Sequence, residues 1–476
     1  MKVRISARQS DLAKNQAYQV GDALKSLGIE VDYYFRESLG DKNLTDPLWK
    51  MPEKGVFTED FYSDLITDKT DMVVHSWKDL PTEEKSDTLI AATLKRADQR
   101  DLLLLKPNSK IKKNLRIFSS SPRRAFNLSE FLISALPSQP NQIQFENVRG
   151  NIQTRIRKLL ESSEIDGLVL AKAAVDRLLA DERALETSNF VRKSLEELSW
   201  MVLPLRANPN AAAQGAIAVE IRKDRQDLYE LLQKINCKDT YSSARREREI
   251  LKEFGGGCHL ALGMAVLQRP WGQIEIVKGK TPEGQKVHLE RFNSTKVLPS
   301  GLKKTRLKFE AQRTSAVTPK LDQYDAVYVA KYEAWNAGQD YNGVVWTSGI
   351  ETWKKLAKTG VWVNGTAESM GEFEDPQIER LVPHVKNWAR LSHNLASAVG
   401  HKDALAGYEV QIKLLDEKLP ENAAFLWMSP LEFDLAALKF PEILNAVHLC
   451  GPGRTYEALK KRLGGDENLY IELFLY

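Results

Sequence analysis

From Ser10 onward the apolar residues Leu12, Ala13, Ala17, Val20, Leu24 and Leu27 return at helical spacing, and Gly28 ends the run. Ile29, Val31, Tyr33 and Phe35 then alternate with other residues as one face of a strand. Short apolar runs at Met72 to Val74, Leu115 to Phe118 and Leu168 to Ala171 each adjoin a helical pattern. Strands alternating with helices predict an α/β fold with largely parallel sheets. In such sheets ligands bind beyond the carboxyl ends of the strands, so the residues that follow each run are the first place to look for chemistry.

Those residues are polar and basic. Met72-Val73-Val74 leads into His75-Ser76-Trp77-Lys78-Asp79, Leu115 to Phe118 into Ser119-Ser120-Ser121-Pro122-Arg123-Arg124, and Val148-Arg149-Gly150-Asn151 into Thr154-Arg155. Ser121 suits a helix N-cap and Pro122 the first helical position, which puts both arginines at a helix amino end, where anions are favoured. Asn151 can cap a helix that turns Ile152, Ile156, Leu159 and Leu160 inward and carries Arg155 in its early turns.

Further along, Tyr241 to Phe254 reads as a charged amphipathic helix stopped by Gly255-Gly256-Gly257, with Cys258 next on a loop where glycine permits unusual backbone angles. Lys280 to Lys320 is polar and basic with few large apolar residues, as expected of a domain end and a junction. Beyond it lies a weak repeat. Val344 to Ser348 and Phe425 to Ser429 each precede a helical stretch, then Val361 to Thr366 and Val447 to Thr455, so both halves read strand, serine turn, helix, strand, Gly/Thr turn, helix.

Composition narrows the classes without choosing among them. The 476 residues suggest three or four domains, and 42% hydrophobic with 28% charged residues is ordinary for a globular protein. Three cysteines, Cys237, Cys258 and Cys450, form no CxxC pair and point to a reducing compartment. No apolar run is long enough to cross a bilayer, and the amino terminus carries Lys2, Arg4, Arg8 and Asp11 where a secretory signal needs an apolar stretch, so the expectation is a cytoplasmic protein. A formal charge of +4 without an aromatic-basic repeat argues against nucleic acid.

Arg8, Lys54, Lys78, Arg123, Arg124, Arg149 and Arg155 gathered in one crevice would hold several carboxylates, because guanidinium forks pair with them in bidentate fashion. Asp79 stands among them. An acid in a basic site stays ionised and can offset a cation developing on a substrate, or pass a proton to a leaving amine. Cys258 can anchor a covalent group. Taken singly, Arg123-Arg124 and Lys78-Asp79 are solvated surface pairs and Cys258 a small buried residue; their placement after strands and glycines is what favours chemistry. His75 reads equally as a satisfied structural histidine.

These residues carry a resemblance. RISARQS at residues 4–10, Gly40-Asp41, Lys54-Gly55-Val56-Phe57, HSWKDLP at 75–81, Arg100-Asp101, Ser119 to Arg124, RGNIQTR at 149–155, Gln214-Gly215-Ala216 and Gly256-Gly257-Cys258 follow the order and approximate spacing of porphobilinogen deaminase, also called hydroxymethylbilane synthase. Over roughly the first 300 residues the chain resembles that family.

The resemblance implies a transferase, working as a monomer, that condenses four porphobilinogen molecules into hydroxymethylbilane with release of ammonia. It implies a dipyrromethane cofactor held by a thioether to Cys258, and Asp79 as the catalytic residue that stabilises the pyrrole nitrogens and the cation formed as the amine leaves. It implies that Arg8, Ser10, Lys78, Ser119, Ser121, Arg123, Arg124, Arg149, Arg155, Arg177 and Gln214 bind substrate and cofactor, and that Lys54 and Phe57 belong to a loop over the site. No metal is implied. Around the cysteine, Gly255 and Ala261 replace the family's usual acid and proline.

The tail resembles a shortened uroporphyrinogen-III synthase through Val345-Trp346-Thr347-Ser348, Gly365-Thr366-Ala367 and Gly451 to Thr455. That resemblance implies cyclisation of the linear product, with Thr347, Ser348, Thr366, Ser429 and Thr455 as candidate contacts. A non-catalytic product-handling module stays open for the tail, and a non-catalytic carboxylate-binding protein for the whole chain. The expected architecture is two periplasmic-binding-protein-like lobes, residues 1–95 with 198–220 and residues 96–197. A small α/β domain at 221–310 carries the cysteine, and a two-lobed α/β domain follows at 311–476.

Overall fold

The computed structural model describes residues 1–37, 59–256, 260–316, 318–336, 338–396 and 402–473. Lys54, Phe57 and Cys258 lie outside the described residues. The chain forms two compact units. The first comprises Met1–Ile133, Pro140–Gln268 and Glu275–Leu289, the second Ser134–Gln139, Arg269–Ile274 and Glu290–Tyr476.

The mixed α/β character follows the apolar pattern closely in the first unit. β1 (Lys2–Arg8) leads to a helix at Asp11–Lys25, where Ser10 accepts a hydrogen bond from the Ala13 amide as N-cap and Gly28 takes φ +78° after the helix stops. β2 (Glu30–Arg36), β3 (Met72–Ser76), β4 (Thr88–Ala92) and β10 (Ile217–Arg222) complete a five-stranded sheet in the order β2-β1-β3-β10-β4. Its core joins Val3, Ile5 and Ala7 of β1 to Ala17, Val20 and Leu24 of the helix.

The second sheet repeats that plan. β5 (Asp101–Leu105), β6 (Asn114–Phe118), β7 (Gln142–Glu146), β8 (Gly167–Ala171) and β9 (Ser199–Leu203) run in the order β7-β6-β8-β5-β9. In each sheet one strand is antiparallel to its neighbours: β10 against β3 and β4, β5 against β8 and β9. Both stand next to a chain crossing. The chain passes from the first sheet to the second between β4 and β5 and returns between β9 and β10, so the second sheet is one contiguous stretch of sequence and the first is completed by β10 after it. A third sheet, β11 (Leu262–Arg269), β12 (Gly272–Lys280) and β13 (Lys286–Ser294), packs Leu262, Met264 and Val266 under Ile250 of the helix Lys238–Glu253.

The second unit holds two further sheets. β14 (Lys303–Thr305), β21 (Ala423–Trp427), β22 (Val447–Cys450) and β23 (Leu469–Ile471) are parallel throughout. The other runs β15-β20-β19-β16-β17-β18, built from β15 (Phe309–Ser315), β16 (Ala326–Val329), β17 (Val344–Thr347), β18 (Gly365–Thr366), β19 (Trp388–His393) and β20 (Lys402–Leu414). Only its edge strand β15 is antiparallel.

β14 pairs with β21 and β15 with β20, and the second compact unit takes in Glu290 onward, while β13 completes the third sheet up to Ser294. The repeat expected from sequence is incomplete. Ile350–Lys358 and Pro430–Lys439 form the expected helices after the serine turns, and Arg454–Leu463 follows β22, but no helix follows β18 among the described residues. Glu368, Ser369, Gly371 and Gln377 take positive φ there, and Pro376 removes an amide donor, so the backbone turns instead of coiling.

Candidate active site

The carboxyl end of β3 is held firmly from three sides. Trp77 is buried among Ala213, Ala216, Ala218 and Ala244, its amide donates to Ala216 O at 3.1 Å, and Ser76 Oγ exchanges hydrogen bonds with the Gln16 amide. His75 Nε2 lies 3.0 Å from Glu220 Oε2, and Thr88 Oγ1 donates to the other Glu220 oxygen at 2.6 Å. His75 is thus a satisfied structural histidine. From this base Lys78 emerges half-buried, and Asp79 is exposed.

Ser121 accepts from the Arg124 amide at the start of the helix Pro122–Ala135, as the sequence predicts. The arginine side chains, however, turn toward a carboxylate. Asp101 Oδ2 receives Arg123 Nη2 at 2.9 Å and Arg124 Nε at 3.0 Å, while Oδ1 receives Arg124 Nη2 at 2.6 Å. Asn208 and Gln214 add bonds of 2.8 and 2.9 Å to the same group. Burial pushes the Asp101 carboxyl up, but Arg124 and Arg123 more than offset it and hold it well below the usual carboxylate range. Arg123 also donates to Asn208 Oδ1 and Pro209 O, so its guanidinium is committed inside the protein.

Gly263, on the third sheet, faces this knot. A Cβ there would lie 2.3 Å from Pro209 O and 2.9 Å from Arg123 Cδ, which only glycine avoids. At the third strand end Asn151 caps its helix through the Thr154 amide at 2.9 Å, and Arg155 Nε donates to Gly150 O at 2.8 Å. Gly150 has φ +113° with Thr154 packed against it. Asp11, next to Ser10, accepts from Gln153 at 3.0 Å, which ties the β1 edge carrying Arg8 and Ser10 to the Arg149–Arg155 turn.

The three strand ends share one electrostatic field. Lys78 is pulled down by burial, with Asp79 opposing and Arg124 and Arg123 adding to the shift. Burial, then Arg124 and Arg149, bring Arg155 down to about 10, against the pull of Asp79. Lys78, Asp79, Arg123, Arg124, Arg149 and Arg155 are therefore neighbours: five cations around one exposed acid. The sequence model described as porphobilinogen deaminase, dipyromethane cofactor binding domain, matches residues 3–230. A porphobilinogen deaminase of Syntrophomonas wolfei is 36% identical over 280 residues, spanning 58% of this chain and 83% of that protein. The chain belongs to the porphobilinogen deaminase family.

The deaminase of Caldicellulosiruptor saccharolyticus is likewise 36% identical, over 267 residues and 83% of its own length, and a probable porphobilinogen deaminase of Picrophilus torridus is 35% identical over 85% of its length. Among solved structures, the methionine binding protein MetQ is similar at 9% identity and a TM-score of 0.28, covering 52% of this chain and 95% of its own. The chain is thereby a transferase of tetrapyrrole biosynthesis with a dipyrromethane cofactor. The donor set fits that group: half-buried Lys78, Arg149 and Arg155 are the cations a carboxylate-bearing dipyrrole needs.

Other deaminase candidates sit differently. Gln214 is 1% exposed and donates to Gln99 O and Asp101; Arg177 donates to Gly215 O at 2.8 Å and is lowered to about 10 by burial. Both brace the crossing segment before β10. Ser119 is buried and accepts from the Ser121 amide at 3.4 Å.

Sequence reasoning assigned no role to Asp101, Asn208 or Glu247. Glu247 is 0% exposed and accepts five bonds, from Arg96 Nη1 and Nη2, Asn210 Nδ2 and the amides of Ala213 and Val266, so it joins both crossings to the third sheet. The available signal was an acid heading the otherwise apolar run Asp101 to Leu105.

Among the described residues no three metal-binding side chains cluster, and no helix is long and apolar enough to cross a membrane. Cys450 is buried, which pushes its thiol up to about 12. In the tail, Thr347 donates to Gly349 O, Ser348 to Ala330 O at 2.8 Å, Thr366 accepts from the Glu368 amide, and Ser429 caps its helix through Glu432 N. These hydroxyls close turns. Thr455 is half-buried in the first turn of the helix Arg454–Leu463.

Proposed function

We propose that the first unit condenses four porphobilinogen molecules into hydroxymethylbilane with release of ammonia, and that Asp79 is its catalytic residue. The observation that carries this reading is the exposed Asp79 carboxylate set among Lys78, Arg124, Arg149 and Arg155. There the Asp79 carboxyl group can offset positive charge as the substrate's carbon–nitrogen bond breaks: the ammonium group of the substrate leaves as ammonia with the bonding pair, and the cation left on the pyrrole is the charge that Asp79 faces. When bound, dipyrromethane supplies the pyrrole carbon to which units are added.

In this reading Lys78, Arg149 and Arg155, with Arg8, Ser10, Ser119, Ser121 and Arg124 at the same strand ends, hold acetate and propionate groups and fix the substrate's approach. Arg123, Arg177 and Gln214 act one step back, by keeping the crossings and Arg124 in place. Cys258 anchors the cofactor, and Lys54 and Phe57 join the substrate-binding set. The two similar five-stranded sheets serve as periplasmic-binding-protein-like lobes, residues 1–95 with 198–220 and residues 96–197, with the crevice at their strand ends. The chain works as a cytoplasmic monomer. Native mass spectrometry tests the anchor: the purified protein should exceed its sequence mass by two pyrrole units, and Cys258→Ser should remove the excess. An unmodified native mass without porphobilinogen turnover would sink the reading.

For the tail, the linear product is the molecule to be handled, by cyclisation or by a non-catalytic module. Product analysis separates the two. A type III ring from the full chain alone supports cyclisation; a type I ring alone supports the non-catalytic role.

A further inference from the structure

The turn that presents Asp79 is gripped by a residue to which sequence reasoning assigned no role. Trp77 to Asp79 form a single 3₁₀ turn, closed when the Leu80 amide donates to Trp77 O at 3.3 Å. So short a turn leaves its last carbonyls without helical partners, and Pro81 has no amide to offer. Arg248 supplies the donors. Its Nη1 reaches Trp77 O at 3.2 Å and Leu80 O at 3.1 Å, and its Nη2 donates to Pro81 O. One planar guanidinium thus holds carbonyls on both sides of Asp79, through charge-assisted bonds whose fork fixes direction as well as distance.

Arg248 lies on the helix Lys238–Glu253, and Tyr241, Ala244, Arg245 and Arg248 share one of its faces at helical spacing. Tyr241 packs on Trp77 with ring centroids 5.3 Å apart and donates to Ile90 O at 2.8 Å; Ala244 is buried with Trp77, and Arg245 lies 3.6 Å from Glu84. The whole face is therefore turned to the segment that carries Asp79. The helix then runs out into Gly255 and Gly256, at φ +92° and +67°, two positions before Cys258. A Cβ on Gly256 would lie 3.0 Å from Thr82 Oγ1, on the residue that follows Pro81. The same helix grips the Asp79 turn at Arg248 and passes beside its far end at Gly256. Among the described residues no hydrogen bond holds the Asp79 side chain itself, so the place of its carboxyl group follows from the backbone that Arg248 fixes.

We propose that Arg248 is a positioning residue for the deaminase reaction: it acts through Asp79, keeping that carboxyl group at a fixed reach from the helix end that leads to Cys258. The proposal rests on the reading of Asp79 as the catalytic residue. Arg248 touches no substrate in it and contributes to the rate only by where it holds the turn.

A double-substitution cycle on porphobilinogen turnover by the full chain tests this. Arg248→Gln should lower kcat at least about tenfold and leave KM within about twofold, because a misplaced reacting group costs rate while the carboxylate-binding cations are untouched. Mass spectrometry should show the covalent primer retained. Arg248→Lys, which keeps the charge without the fork, should lie between parent and Arg248→Gln. In an Asp79→Asn background, Arg248→Gln should change the remaining kcat by less than about twofold, since the group it positions is gone. Should Arg248→Gln yield no folded protein, the same cycle run with Arg248→Lys decides the question. A parental kcat in the Arg248 variant, or an equal fold-loss in both backgrounds, overturns the proposal and leaves the Asp79 reading standing. Parental turnover in Asp79→Asn alone removes that reading, and the proposal with it.

Discussion

Arg124 grips Asp101 with two nitrogens, Nη2 at 2.6 Å to one oxygen and Nε at 3.0 Å to the other, at a point where the carboxylate is fully buried. Arg123 shares the same acid at 2.9 Å. Asp101→Ala leaves two buried guanidinium groups without their counter-charge and should cost about 3 to 5 kcal/mol of stability. Urea unfolding of the first unit measures it. Asp101→Asn, which retains the Gln214 contact on its carbonyl oxygen, should lie between the two; a loss below 1 kcal/mol for the alanine variant would show that the knot is incidental.

Arg123 and Arg155 look alike in sequence and are used differently. Arg123 is 4% exposed and donates to Asp101, Asn208 and Pro209, whereas Arg155 is half-buried with its Nε on Gly150 O. Arg123→Gln is expected to lower the thermal midpoint strongly, by the same mechanism as Asp101→Ala. Arg155→Gln should hold the midpoint and raise KM for porphobilinogen on the order of tenfold, because a carboxylate loses a charged partner. Measuring KM and Tm for both variants decides it, and an Arg155→Gln enzyme with parental KM would remove that residue from the binding set.

Asp79 is exposed on a rigid base, so its loss should leave the fold alone. For Asp79→Asn we expect an unchanged thermal midpoint, retention of the covalent primer by mass spectrometry, and turnover reduced at least about a hundredfold. A parental turnover number would show that the acid lies elsewhere.

Much of this site is written in short-range patterns. The helix at Asp11–Lys25, its Ser10 cap, the Asn151 cap and the polar turn after β3 each depend on residues within a few positions of one another, and periodicity exposes them. What local pattern does not carry is long-range pairing. Asp101 meets Asn208 across 107 positions, and Glu247 meets Arg96 across 151, so their roles as organisers appear only in three dimensions. The antiparallel insertions β5 and β10 are equally non-local, since a strand's direction relative to its neighbours leaves no mark on its own apolar run. β14, three residues long, likewise acquires its identity only by lying beside β21.

His448 gives the tail a distinct acid sensitivity. It is 0% exposed on β22, accepts from Trp427 Nε1 at 3.0 Å through Nδ1, and burial holds it down to about 4 from the ordinary 6.5. Between those values the unfolded chain binds the proton and the folded one does not, so stability rises with pH across the window and falls on acidification. The full span corresponds to about 3 kcal/mol. Urea unfolding of the tail, followed by tryptophan fluorescence at pH 7 and pH 4.5, should show most of that loss. His448→Gln keeps an acceptor for Trp427 but cannot titrate. Its stability should therefore be lower at pH 7 and its pH slope shallower, with the residual slope coming from His393, which is shifted in the same direction. A slope unaltered by His448→Gln would assign the acid sensitivity to other groups.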